Sequence, residues 1–355
     1  TLLAEGLESN PIILTSSLDD RFGAGGTFDT NNDNNTTVGA VAPQRGDWSG
    51  IYAAPGAHVS IDQATIAFGG GISLLEGGSA RGFAPVELQQ ATGRITNTRF
   101  EFNESGQDGS GESGRQGRLS NTPAVIFVRG SQPTIVGNEF IDNRGSVVAI
   151  NSESMSADFN IDEGRQTGSS DQITGLDDNH GPLIRRNTFE VVAADDVADR
   201  QFSILEILGG GQITTETVFD DTDIVHTLAS SLVVGNFHSS GGLKLFSRPD
   251  ESLVVKLTGG GNPNSPTDGT GFTATGSESD ISDRIGGSIQ IIGHPGAPVV
   301  LTSLADDTVG AGRTPDGSQF TDSNGDSFGS RPQPNDWRSV LLDQFSNDRN
   351  VAVVR

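Results

Sequence analysis

Hydrophobic residues in this chain occur in short runs separated by clusters of glycine, asparagine and aspartate. The runs at 64–68 (ATIAF), 124–128 (AVIFV), 147–150 (VVAI) and 288–292 (SIQII) are rich in residues that favour strands. The intervening clusters are typical of turns. No window has the sustained period of 3.6 residues, with capping residues, that predicts a helix. The pattern therefore predicts an all-β protein built from many short strands.

One short motif recurs within this pattern. Segments 135–140 (IVGNEF) and 184–189 (IRRNTF) share it, and 95–100 (ITNTRF) is a looser copy. An inward-pointing asparagine at a sharp turn can hydrogen-bond backbone groups of its own and neighbouring coils, while Ile and Phe stack in an interior column. We therefore expect Asn138 and Asn187 to occupy equivalent turns. Their spacing of 49 residues predicts about two coils, at roughly 20–30 residues per coil.

A much longer repeat encloses this motif. Segment 11–16 (PIILTS) returns as 298–303 (PVVLTS), at a spacing of 298 − 11 = 287 residues. The pair Asp19-Asp20 returns as Asp306-Asp307 at the same spacing, and Trp48 returns as Trp337 after 289 residues. Ordered identities of this kind indicate a tandem repeat. We predict one continuous domain over 1–355, in which 1–287 is one repeat unit and 288–355 begins a second, as an excerpt from a longer array.

These segments resemble the coils of the pectate-lyase-like superfamily, in which each coil supplies three short strands and asparagines stack at one turn. The stretch from Pro298 through Trp337 to Val354 is similar, more closely, to large uncharacterised repeat-containing surface proteins of environmental bacteria. The resemblance implies a right-handed parallel β-helix solenoid with loop excursions. It also implies an extracellular or cell-surface bacterial protein with a structural or adhesive role. A polysaccharide lyase or hydrolase and a carbohydrate-binding module are the alternatives, because one fold hosts many functions.

Composition narrows the range of partners. The formal net charge is −24, from 46 acidic and 22 basic residues, which argues against nucleic acid and anionic membranes. The chain has no cysteine, and no apolar run approaches the ~18 residues that membrane insertion needs. The expected partners are neighbouring repeats, or further copies that associate end to end, with carbohydrate as another candidate. Divalent cations also suit such an acidic surface.

The strongest candidate for chemistry is an acidic D-x-N-x-D loop present in both repeat copies. Its candidate calcium ligands are Asp29, Asn31 and Asp33 in the first copy, and Asp322, Asn324 and Asp326 in the second. Alternate side-chain oxygens on a tight loop can surround Ca²⁺. Neither copy continues to the distal glutamate of an EF-hand, so further ligands must come from elsewhere, such as the Asp19-Asp20 and Asp306-Asp307 pairs. The alternative is a solvated turn rich in Asn and Asp.

Three other features were weighed. One cluster contains three aspartates and a histidine: Asp220, Asp221, Asp223 and His226. These side chains could bind a metal or supply a catalytic acid and base, but the favoured interpretation is an acidic turn that precedes a strand. Arginines that could serve a lyase show no recognisable spacing from an acidic cluster: Arg185, Arg186 and Arg248. Trp48 and Trp337 could stack on sugars, but their recurrence at equivalent repeat positions favours packing.

Overall fold

The computed structural model describes residues 1–23, 28–33, 42–74, 80–106, 115, 120–169, 171–175, 179–192, 196–209, 212–235, 242–259, 269–278 and 284–346. Within these ranges the chain is nearly all β, with short 3₁₀ turns at Ser152–Ser154 and Val197–Asp199. The all-β prediction is therefore confirmed. The end of the predicted second unit, 347–355, lies outside the described residues.

Three large sheets consist entirely of parallel strands, which are numbered in chain order. Sheet 1 contains β1 (Leu2–Glu5), β4 (His58–Asp62), β9 (Thr92–Thr96), β12 (Thr134–Val136) and β15 (Leu183–Arg185). Sheet 2 contains β2 (Ile12–Leu14), β5 (Ala64–Ala67), β10 (Arg99–Glu101), β13 (Glu139–Ile141) and β16 (Thr188–Glu190). Sheet 3 contains β3 (Ile51–Ala53), β8 (Val86–Gln89), β11 (Ala124–Arg129), β14 (Gly145–Asn151), β17 (Gln201–Leu208), β20 (Val225–Leu228), β23 (Val254–Leu257) and β28 (Val300–Ser303).

Two further parallel sheets and two antiparallel hairpins account for the remaining strands of the described residues. Sheet 4 contains β18 (Gln212–Ile213), β21 (Leu232–Val234), β24 (Phe272–Ala274) and β29 (Val340–Leu342). Sheet 5 contains β19 (Thr217–Phe219), β22 (Leu243–Phe246) and β27 (Ile289–Ile292). The hairpins pair β6 (Ile72–Leu74) with β7 (Ala80–Gly82), and β25 (Gly276–Glu278) with β26 (Arg284–Gly286).

The chain visits the large sheets in a fixed rotation. Apart from the hairpins, successive strands up to β17 enter sheets 1, 2 and 3 in turn, and each strand pairs in parallel with the strand one cycle later. From β18 onward, sheets 4 and 5 take the places of sheets 1 and 2, while sheet 3 continues. One cluster of buried hydrophobic residues extends from Ala4 through Phe140 to Phe320, so the sheets share a continuous core.

Single residues in the left-handed conformation turn the chain from sheet 1 into sheet 2. Gln63 (φ 51°), Asn97 (φ 47°), Gly137 (φ 70°) and Arg186 (φ 57°) occupy this corner in successive cycles. The N–H of Asn97 donates to the Val136 carbonyl (3.0 Å), which extends the ladder around the bend. A single left-handed residue bends the chain sharply from one strand into the next, so these corners need no loop.

The residue after each corner supplies an internal ladder of side-chain hydrogen bonds. Asn138 Oδ1 accepts from the Thr98 N–H (3.0 Å), and Asn187 Oδ1 accepts from the Asn138 N–H (2.9 Å) and Nδ2 (3.0 Å). The neighbouring rings stack, with centroids 5.1 Å apart for Phe100 and Phe140. The predicted asparagine stack and apolar column are confirmed.

A second ladder follows the corner between sheets 2 and 3. Asn143 Oδ1 accepts from the Asn103 Nδ2 (2.8 Å), and Gln201 Oε1 accepts from the Asn143 Nδ2 (3.0 Å). All three side chains are buried. Each amide satisfies backbone groups that would otherwise lie in the core without partners, so the two ladders fix the spacing of the cycles.

The expected coil length was wrong. Asn138 and Asn187 are hydrogen-bonded neighbours in adjacent cycles, although 49 residues separate them in the sequence. The register partners Leu2 and Val59 of sheet 1 are 57 residues apart, whereas Val59 and Gly93 are 34 apart. Cycles are long and unequal because the connections between strands differ in length; the one between β14 (Gly145–Asn151) and β15 (Leu183–Arg185) runs from residue 152 to residue 182. The strands keep their register while the loops vary in length.

The two repeat copies fold alike. The short bridge between Leu7 and Asn10 recurs between His294 and Ala297, 287 residues later. The hydrogen bond from the Ser16 hydroxyl to Asp47 (2.6 Å) recurs from Ser303 to Asp336 (2.7 Å). The copies nevertheless enter different sheets: β1, β2 and β3 lie in sheets 1, 2 and 3, while their equivalents β27, β28 and β29 lie in sheets 5, 3 and 4.

Candidate cation sites in the acidic loops

The first acidic loop (Asp29–Asp33) brings its two aspartates next to Asp20. Carboxylate oxygens of Asp20, Asp29 and Asp33 all lie within 4.8 Å of one another. Asn31 joins the same turn, because its Nδ2 donates to Asp33 Oδ2 (3.1 Å) and its Oδ1 accepts from the Asp33 N–H (3.1 Å). The loop closes on itself through Asn32, which is left-handed (φ 58°).

The second acidic loop (Asp322–Asp326) repeats this geometry. Carboxylate oxygens of Asp307, Asp322 and Asp326 lie within 4.8 Å of one another. The Asp326 N–H donates to Asp322 Oδ1 (3.1 Å), and Asn324 Nδ2 donates to Asp326 Oδ2 (3.1 Å). Gly325 occupies the left-handed position (φ 64°) that Asn32 holds in the first copy. The same wrapped turn therefore forms twice from different sequences.

One residue of each predicted auxiliary pair joins its cluster, and the other does not. Asp20 and Asp307 join the loops, as described above. Asp19 instead accepts a hydrogen bond from Thr15 (2.6 Å) and pairs with Arg21 (2.8 Å). Asp306 likewise accepts from Thr302 (2.6 Å). Alternation along the chain separates neighbouring aspartates, so one carboxylate stabilises the turn and the next faces the acidic loop.

Two of the clustered aspartates, Asp20 and Asp307, have raised pKa values. Burial, followed by the charges of Asp33, Asp29 and Asp19, raises the pKa of Asp20 above its usual value. Burial raises the pKa of Asp307 to about 6, with Lys256 acting in the opposite direction and the neighbouring aspartates adding to the rise. Carboxylates crowded in this way favour any group that brings positive charge.

The cluster of three aspartates and a histidine is divided among structural roles. Asp221 Oδ1 accepts from the Ile184 N–H (2.9 Å), and Asp223 Oδ2 accepts from the Arg186 N–H (2.7 Å). Ile184 belongs to β15 and Arg186 is the corner residue after it, where sheet 1 ends. The carboxylates thus take the place of the carbonyl groups of a further strand. This agrees with the favoured interpretation of the cluster as an acidic turn, and it protects an exposed sheet edge.

His226 and Asp220 lie apart from that edge. His226 is fully buried on β20 and stacks on Phe219, with ring centroids 5.2 Å apart. Burial lowers the pKa of His226 to about 3, so the ring is neutral at ordinary pH. Asp220 instead contacts His180 Nδ1 (2.6 Å). The four side chains therefore do not form one site.

An arginine does meet part of this cluster beside a surface groove. Arg185 pairs with Asp223 (2.9 Å) and with Glu251 (2.6 Å). Both carboxylates line the groove, together with Asp250 and Arg313. The sequence did not predict this grouping, because Glu251 comes from a distant strand connection. Two carboxylates hold the Arg185 guanidinium, so its charge is already paired. Arg248 lies near the same carboxylates, 3.8 Å from Glu251.

The two tryptophans pack against the core. Trp48 and Trp337 are both half-buried against the main hydrophobic cluster, and Trp48 Nε1 donates to the Ala67 carbonyl (2.8 Å). This agrees with the packing role favoured from their repeat positions.

Comparison with known proteins found no counterpart. No family model matches the chain, and neither the curated proteins nor the solved structures contain a significant match. No helix in the described part of the chain is long and apolar enough to cross a membrane.

Proposed function

We propose that the chain is a structural or adhesive segment of a large bacterial surface protein, built as a right-handed parallel β-helix. The fold is of the kind found in the pectate-lyase-like superfamily, and the proposed location is extracellular. The rotation of the chain through three parallel positions supports this fold, since each complete cycle corresponds to one coil.

The observation that carries the proposal is the way in which the second copy continues the first. β27 adds in parallel to β22, β28 adds to β23, and β29 adds to β24. The start of one unit therefore extends the sheets of the unit before it. Stacking of this kind gives a rod whose length grows with the number of units.

The strand count defines the geometry of that rod. In the described part of the chain, the strands from β1 to β26 number 26, and removing the four hairpin strands leaves 22 before the second copy begins at β27. Three strands make a coil, so a unit contributes seven coils and one extra strand. With a strand spacing of ~4.8 Å, each unit lengthens the rod by about 35 Å. Each unit also begins one sheet further round the rod than its predecessor.

The end surfaces are suited to contact with another copy. On the strands that begin the second copy, three apolar residues are exposed: Ile291, Leu341 and Leu342. In the first copy, Ala4 holds the position of Ile291 and Ala53 holds that of Leu342. Both alanines are buried under the following coil. Apolar groups at an open strand edge favour the addition of further strands. The proposed partners are therefore neighbouring repeats of a longer chain or a second copy added end to end, with carbohydrate as a candidate partner along the sides.

Electron microscopy of chains carrying one, two, three and four tandem units tests this proposal. We expect unbranched rods of constant width whose length increases by about 35 Å per unit. Flexible strings of separate particles, or a length increment unrelated to the unit, would contradict it. Lyase and sugar-binding assays on the same chains would detect the alternative activities.

A further inference from the structure

The second acidic loop lies on the body of the preceding unit. The Arg313 carbonyl accepts from the Phe189 N–H (2.9 Å) at the edge where sheet 2 ends, and the Ser323 carbonyl accepts from the Ser203 N–H (3.0 Å). The Phe320 ring packs on Phe189, with centroids 5.5 Å apart. The segment that carries the acidic loop therefore closes the open edge of sheet 2 in the unit before it.

Exposure of equivalent residues shows what this contact contributes. Phe320 is 5% exposed, whereas Phe28, which precedes the first acidic loop, is 56% exposed. Asp322 and Asn324 are likewise buried, while their equivalents Asp29 and Asn31 are only half-buried. The first loop folds in the same way, and Asp20 and Asp307 are equally half-buried in their clusters. The contact with the preceding unit adds the burial of Phe320, Asp322 and Asn324.

Polar atoms within the buried loop lack hydrogen-bond partners. Asn324 is 7% exposed and touches Asp326 through its Nδ2, yet its buried Oδ1 accepts no hydrogen bond. Both carboxylate oxygens of Asp307 are also buried and accept none. Buried oxygens without donors are costly, and the cost is greatest when they carry charge. A bound cation would satisfy all of them.

The charge balance at the junction also calls for a cation. Lys256 on β23 is fully buried, and its Nζ donates to Ser323 Oγ (2.8 Å) and to the Thr321 carbonyl (3.2 Å). No ion pair among the described residues joins it directly to a carboxylate. Its single charge faces the three clustered carboxylates, as well as Asp306 beside them. The three clustered carboxylates and the Lys256 ammonium alone sum to a charge of −2, and Asp306 adds a further negative charge, so the junction favours a divalent cation.

We propose that the junction between two repeat units is a binding site for a divalent oxygen-seeking cation such as Ca²⁺. Carboxylates of Asp307, Asp322 and Asp326 and the amide oxygen of Asn324 supply ligands, and strand β23 of the preceding unit closes the site with Lys256. Oxygens that share one Ca²⁺ at ~2.4 Å lie no more than about 4.8 Å apart, which the three carboxylates satisfy. The cation holds the loop against the preceding unit. This inference rests on the proposed stacking of units.

Calorimetric titration of the chelator-treated, 355-residue chain with CaCl₂, and with MgCl₂ for comparison, tests the site. Asp307→Asn is the most informative variant, because the side chain makes no hydrogen bonds that the change would remove. We expect it to weaken the tightest Ca²⁺ site at least about tenfold. Asp20→Asn, at the equivalent position of the exposed first copy, is the matched control and should leave that site unchanged. Asp326→Asn and Asp33→Asn form a second pair.

Thermal unfolding gives a second readout with opposite signs. In chelator, Asp307→Asn should raise the unfolding midpoint, because it removes one of several crowded negative charges. In CaCl₂, the wild-type chain should gain stability that the variant lacks. The absence of Ca²⁺ binding, or equal losses in Asp307→Asn and Asp20→Asn, would overturn the inference. Tandem chains that form rods but bind no Ca²⁺ would leave the proposed function standing, whereas tandem chains that form no rods in either chelator or CaCl₂ would count against that proposal.

Discussion

The asparagine ladder allows a quantitative test of what holds successive coils together. Asn138→Ala removes one buried side chain from the centre of the ladder while leaving the backbone of β13 unchanged. The lost contacts are an acceptor for the Thr98 N–H, a donor to the Ile95 carbonyl (3.0 Å) and a donor to Asn187 Oδ1 (3.0 Å). Thr98 and Ile95 are themselves buried, so water cannot replace the amide.

The expected destabilisation follows from these contacts. A buried N–H left without an acceptor costs about 1–3 kcal/mol, and each further lost hydrogen bond costs about 0.5–1.5 kcal/mol. We therefore expect Asn138→Ala to lower the free energy of unfolding by about 2–6 kcal/mol. This is a large fraction of the roughly 5–15 kcal/mol typical of a folded domain.

Urea unfolding followed by far-ultraviolet circular dichroism measures the effect. Glu139→Ala, at the next residue, is the matched control: Glu139 is exposed and pairs with Arg99 on the surface (3.0 Å). Exposed pairs of this kind contribute about 0–1 kcal/mol. If Asn138→Ala costs no more than Glu139→Ala, the ladder does not hold the coils together and the reasoning fails.

Three further predictions concern other parts of the fold. His226 has a folded pKa of about 3, below the unfolded value of about 6.5, so its contribution to stability is full above pH 6.5 and is lost as pH falls towards 3. Between pH 6.5 and pH 4.5 the free energy of unfolding should therefore fall by about 2–3 kcal/mol more in the wild type than in His226→Leu. Equal losses in the two proteins would contradict this. Phe320→Ala should lower the free energy of unfolding in urea by about 3–5 kcal/mol, whereas Phe28→Ala, at an exposed residue, should lower it by less than about 1 kcal/mol. Similar losses in the two variants would refute the packing of the second loop on the preceding unit. Asp221→Ala should cost about 1–3 kcal/mol and accelerate hydrogen exchange at the Ile184 amide, and an unchanged exchange rate would show that the carboxylate does not cap sheet 1.

Local patterns predicted the strands and the ladder because both depend on neighbouring residues. Alternating apolar positions and an asparagine beside a corner are visible within six residues, so Asn138 and Asn187 were correctly assigned to equivalent turns. The number of coils between Asn138 and Asn187 was not predictable, since the sequence of the intervening segment 152–182 follows no repeat pattern. Loop length changes the sequence spacing without changing the strand register.

The candidate sites illustrate the same limit. The D-x-N-x-D pattern identified both acidic loops, and the Asp19-Asp20 and Asp306-Asp307 pairs were expected to supply further ligands. The sequence did not show which member of each pair joins its loop, namely Asp20 and Asp307. The role of Lys256 was not predicted, because it reaches the loop from a strand 65 residues before Thr321. One signal was present: it is one of only two lysines and lies within an apolar strand. The edge-capping roles of Asp221 and Asp223 required knowledge of where sheet 1 ends.

The central claim is that each repeat unit continues the sheets of its predecessor one position further round. A cryo-electron microscopy reconstruction of a chain of several tandem units tests it most directly, with the acidic loops as markers of each unit. We predict an uninterrupted β rod in which successive acidic loops advance by about 35 Å along the axis and about a third of a turn around it. Loops that recur on the same face, or units joined without continuous sheets, would contradict the claim.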